Sequence, residues 1–275
     1  MVRTNGDDPQ NGKPADGLSV QNVGSIAVTV KVWLDGHEFD LQDLADLLPS
    51  GDTRVVKEGT AFYLTSTQID NRSADVQFYE IAQQLLPTIN GLGRANHAGF
   101  RPVSLSGRYD DGDQSHTVVG AATIEARARM HAAGVVTDSA GVPRPDPPPP
   151  GPARASLAAT NPHAREVLAI LGQPQMLGWV ELYKVHEIIR DSIGKAQLQH
   201  LAGTTPTMHS AFTASANRPD VSGSRARHAR MGGSPPKHSM TEGEGRDFVS
   251  RLVTAWLDSL AQMSREAEAT GQAPG

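Results

Sequence analysis

Between residues 143 and 152 the chain reads PRPDPPPPGP, seven prolines in ten positions. Proline fixes φ and carries no N–H, so neither a helix interior nor a central strand can run through such a stretch. It adopts extended polyproline II and acts as a stiff spacer. The run therefore cuts the 275-residue chain in two. The hydrophobic period is strand-like before it and helical after it. We read residues 135–159 as a proline-rich linker between two domains, with a PxxP ligand for another protein as the lesser reading.

Residues 1–20 are polar and rich in Gly and Asp. They read as a disordered N-terminus without the apolar stretch of a signal peptide. In SIAVTVKVWLDGHEFDL, Ile26, Val28, Val30, Val32 and Leu34 alternate as in a strand. Asp35-Gly36 then offers a turn, and Phe39 and Leu41 resume the alternation, which predicts a β-hairpin. Leu44, Leu47 and Leu48 suggest a short helix. TRVVKEGTAFYLTST predicts two strands around Glu58-Gly59. ADVQFYEIAQQLLPTINGLG has helical spacing; Pro87 should kink or end it, and Asn90-Gly91 is a stop signal. Strands return in RPVSLSGRYDDGDQSHTVVGAATIEARARM, with a turn at Asp110 to Asp113. Residues 21–134 thus read as a small α+β domain.

Residues 160–265 read as a helical bundle, followed by a disordered tail at 266–275. NPHAREVLAILG opens with Asn161 as N-cap and Pro162 in the first turn, and stops at Gly172. WVELYKVHEIIRDSIG places Trp179, Leu182, Tyr183, Ile189 and Ile193 on one stripe, with Lys184, Glu187 and Asp191 opposite. Thr205-Pro206 opens another helix through Met208 and Phe212. The last helix starts with a capping box, Thr241 with Glu244. The fold class expected for the whole chain is α+β.

The absence of cysteine excludes disulfides, thiolate metal sites and cysteine nucleophiles. HEIIR at 186–190 has Arg190 where the zinc-protease pattern needs a second histidine, and no histidine pair has ligand spacing, so neither a metal nor a cofactor is expected. GLGRAN at 91 lacks a third glycine and follows a helix. The net charge of −5 gives no general reason for nucleic-acid binding. No apolar run reaches transmembrane length, and the expected setting is cytoplasmic.

One segment stands apart. FTASANRPDVSGSRARHARMGGSPPKHSM, residues 212–240, carries Arg218, Arg225, Arg227, Arg230 and Lys237 against Asp220 alone. Guanidinium forks hold phosphates and carboxylates at two points, which makes this segment a candidate anion-binding surface. His228 lies among the arginines and is the candidate general base. The alternative is that these cations are solvated or paired with carboxylates such as Glu187 and Asp191. His186, at the edge of the apolar stripe, reads first as a packed histidine, and as a site residue only if a partner folds back onto it. Only Phe212 offers a ring, so stacking on single-stranded nucleic acid has little support.

The stretches ELYKVHEIIRDSIG and FTASANRPDVSGSRARHARMGGSPPKHSMT, with the closing LVTAWLDSL, resemble a group of uncharacterised bacterial proteins. That group shares an LYKxxExIR helix and a TANxPxxSGxxARHxR segment. NGLGRANHAGFRPVSLSGRY resembles the N-terminal part of the same group. The resemblance implies a bacterial source and no particular activity. A looser resemblance links the C-terminal half to HEPN domains, helical bundles that often cleave RNA. Their arginine-to-histidine spacing is not matched here, since His228 follows Arg227 directly.

The sequence thus favours a binding or interaction protein, its partner a protein or a phosphate-bearing ligand. The rival is a HEPN-like ribonuclease or nucleotide-handling enzyme using His228 with Arg225 or Arg227. A third reading is a scaffold that pairs with a second copy of itself.

Overall fold

The computed structural model describes residues 29–73, 75–112, 114–117, 147–234 and 236–269. The fold is α+β. Strand β1 (Val30–Asp35) is followed by helix α1 (Glu38–Leu47), then by strands β2 (Thr53–Glu58) and β3 (Ala61–Ser66). The short α2 (Thr67–Asp70) leads to the long α3 (Phe78–Asn96). Strands β4 (Ser104–Asp111) and β5 (Gln114–Thr117) complete a five-stranded sheet. Its order is β2-β3-β1-β4-β5, and every neighbouring pair is antiparallel. Val32 of β1 lies opposite Leu64 on one side and Tyr109 on the other. These residues, with Val30, Leu34 and Phe62, form the buried face on which α1 and α3 pack.

The expected hairpin after β1 is not formed. Glu38 to Leu47 is helical instead, and β1 pairs with β3 and β4. The helical spacing of Leu41, Leu44 and Leu47, all buried, prevails over the short Phe39/Leu41 alternation. His37 caps the helix by accepting from the Phe39 amide, and the buried Asp40 accepts from the Arg101 amide at 3.1 Å. The two strands around Glu58-Gly59 form as expected, as do the helix caps at Asn161 and Thr205. Ile26 and Val28 lie outside the described residues, as do 118–134 of the strand-rich stretch.

Helix α3 passes through Pro87 and the expected stop at Asn90-Gly91 without a break. Asn90 is buried, and its amide exchanges two 2.9 Å hydrogen bonds with the backbone of Val103, clamping α3 to the chain entering β4.

Helix α4 (Gly151–Thr160) occupies the C-terminal end of the expected linker, so the spacer reading does not hold for residues 151–159. Pro152 lies in its first turn, where a missing N–H costs nothing. Residues 135–146 lie outside the described set. Helix α5 (Pro162–Leu171) starts where Asn161 Oδ1 accepts from the Ala164 amide. Then come α6 (Trp179–Ile193), α7 (Lys195–Leu198), α8 (Pro206–Asn217), α9 (Pro219–Ser222), a 3-10 turn at Gly223–Arg225, and α10 (Glu242–Ala269). No helix among the described residues is long and apolar enough to cross a membrane.

The two halves share one core. A single cluster of buried apolar residues runs from Val30 in β1 to Leu260 in α10. The seam is α3 against α5. An added Cβ on Gly91 would lie 2.1 Å from the Leu168 carbonyl oxygen, and one on Gly172 would lie 1.9 Å from that of Pro87. The buried Arg94 donates to the carbonyls of Leu171, Gln173 and Gln175 at 2.7 to 3.0 Å. Burial, and then Arg246, lower its pKa to about 10, so it stays charged at neutral pH. Ser250 and Thr254 of α10 both donate to the Ala95 carbonyl.

Candidate functional site

Helix α6 presents Tyr183, His186 and Arg190 on one face, at the three- and four-residue steps of a helix. Helix α8 faces it. Thr205 starts α8, its Oγ1 accepting from the Met208 amide, and His209, Phe212 and Thr213 then share a side. The helices run antiparallel, because His186 meets His209 while Tyr183, three residues earlier, stacks on Phe212, three residues later. Gly194, with φ of 81°, lets the chain turn sharply from α6 into α7.

Between these helices lies a cleft of about 510 Å³. Its floor includes His186 and His209, each 5% exposed. Its cations are Arg190, Lys195 and Arg218, and among the described residues no carboxylate lines it. Ser210 and Thr213 bring hydroxyls, and Met231, Ser234 and Pro236 form one wall. Arg190 is paired outside the cleft with Asp191, and Arg218 with Asp220. Lys195 has no ion pair among the described residues.

The two histidines form an ordered chain. Thr204 donates its hydroxyl to the Leu201 carbonyl at 2.9 Å, so it accepts from His209 Nε2 at 3.1 Å. His209 Nδ1 then accepts from His186 Nε2 at 3.2 Å. That order leaves His186 Nδ1 as a buried lone pair without a partner. Burial, then His209, then Arg190 hold the His186 pKa down at about 4. Burial also lowers His209, against the Leu198 carbonyl, which favours its protonated ring. Both rings are neutral at pH 7, so the cleft's positive charge belongs to Arg190, Lys195 and Arg218.

Of the residues singled out in the sequence, His186 and Arg218 line this cleft. The others are dispersed. Arg225 pairs with Glu242 at 2.9 Å. Arg227 lies over the Tyr183 ring, 4.2 Å from its centroid, and 3.2 Å from Glu187. His228, Arg230 and Lys237 are exposed and outside the cleft. The arginines proposed to flank His228 thus turn to carboxylates on two different helices. Among the described residues, no cluster of His, Asp or Glu is placed to hold a metal ion. His209, Lys195 and Thr213 were not singled out in the sequence. The signal for His209 was its three-residue step to Phe212, which puts both on one helical face.

Comparison with protein-family models, curated proteins and solved structures returns no significant match to this chain.

Proposed function

We propose that this chain is a binding protein whose helical half recognises a small anion in the cleft between α6 and α8. The observation that carries the reading is the lining itself. Three cations line the cleft and, among the described residues, no carboxylate does, in a chain whose net charge is −5. The volume falls in the range of small-molecule sites, roughly 300 to 1,000 Å³. Charge-assisted hydrogen bonds from Lys and Arg are the strong kind. The neutral histidine pair and the hydroxyls of Ser210 and Thr213 supply directed polar contacts. This reading narrows the basic segment to Arg218 and gives Arg225 and Arg227 a structural role.

The test is thermal unfolding in a panel of phosphate, sulfate and straight-chain carboxylates at constant ionic strength. A ligand bound only by the native state raises Tm with concentration. We expect at least one anion to do so, and Lys195→Glu to remove the rise while leaving the ligand-free Tm unchanged. Equal Tm in every anion and in chloride would refute the reading.

A further inference from the structure

We infer that the ligand of this cleft is an elongated organic anion with an acidic group at each end of an apolar body. The inference rests on the anion-binding reading above and adds the shape of the ligand. Its basis is the antiparallel arrangement of α6 and α8. His209 lies across from His186, so Pro206 lies level with Arg190, at the start of α8. Lys195, five residues beyond Arg190, belongs to that same end. Arg218 caps the opposite end of α8. Twelve residues of helix separate the two ends, a span of about 18 Å. The long cationic side chains reach inward from opposite ends of the cleft.

The cleft is not polar throughout. Besides the histidine rings and the hydroxyls, Tyr183, Leu198, Ala214 and Met231 give its lining apolar surface. Met231 is 48% exposed. At the Arg218 end, Nε and Nη2 are engaged by Asp220 and the Gly233 carbonyl, while Nη1 makes no hydrogen bond among the described residues. Arg218 is therefore held rigidly by its neighbours and still has donors to offer. At the other end Lys195 has no ion pair among the described residues.

The experiment is isothermal titration of the full chain with suberate, octanoate, succinate and 1-octanol. Suberate and octanoate have the same carbon count and differ in one acid; succinate has both acids but a short body. We expect suberate to bind at least about tenfold tighter than octanoate or succinate, the effect of one further charge-assisted contact. Lys195→Gln should bring suberate down to the octanoate level. Arg218→Gln should do the same if it folds, and Lys195→Gln carries the test if it does not. Equal affinity for suberate and octanoate overturns the two-ended ligand and leaves the anion reading standing. Equal binding of octanoate and 1-octanol, or no binding of any acid, overturns both.

Discussion

His186 shows how one side chain can combine packing with latent charge. It lies against Tyr183, Phe212 and His209 with its Nδ1 unpartnered. Its pKa of about 4 in the fold stands against 6.5 for a free histidine, a difference worth roughly 3 kcal/mol. Between those values the unfolded chain binds the extra proton, so stability rises with pH across the window and is lost as pH falls from 6.5 towards 4. We expect wild type to lose about 2 kcal/mol more than His186→Gln between pH 7.5 and pH 5, measured by urea unfolding. Equal losses would mean that the ring is not held neutral. The position of His186 on an apolar stripe was legible in the sequence. Its partner was not, because His209 precedes Phe212 on a helix whose facing neighbour the sequence does not name. The arginines divide in the same way. Glu187 was a foreseeable partner for this segment and takes Arg227, whereas Asp191 pairs with Arg190 and Arg225 finds Glu242.

At the scale of elements, local stop signals gave way to tertiary contact. Pro87 removes a helical hydrogen bond, and Asn90-Gly91 would end an isolated helix. Yet α3 continues because its far half is useful: Ile89, Leu92 and Ala95 enter the core, Asn90 holds Val103, and Gly91 sits against the backbone of α5. Sequence spacing reveals a helix's own period, not the carbonyl of a partner helix, so a packing glycine looks like a stop. Gly91→Ala separates the two roles. In an isolated helix it would stabilise by about 1 kcal/mol. Here the new methyl meets backbone that cannot swing away, so we expect a net loss of about 1 to 3 kcal/mol. Gly243→Ala, in the open first turn of α10, should lose nothing in the same urea titration, since its nearest atom is 3.8 Å away. A neutral Gly91→Ala would mean that the α3–α5 approach leaves room for a methyl group.

For the whole molecule, the proline run marks a change of periodicity without marking a break in the core. The strand-rich and helix-rich halves were legible from periods of two and of three to four residues. Their union was not, since contacts between distant segments leave no periodic trace. Arg94 illustrates it: on α3 it reads as an ordinary last-turn cation, and in the fold it binds three carbonyls at and just beyond the end of α5. A core continuous from β1 to α10 implies one cooperative unit. Calorimetry of the full chain should therefore show one endotherm with equal calorimetric and van't Hoff enthalpies. Arg94→Met strips three carbonyls of their donor at the seam, two of them held by one nitrogen, and should lower stability by about 3 kcal/mol or more. Because α3–α5 packing, the Asn90 clamp and the α10 hydroxyls on Ala95 remain, that variant should still melt in one step. Two endotherms in the wild type would mean that the shared core does not couple the halves, and two in Arg94→Met alone would place the coupling in that one guanidinium.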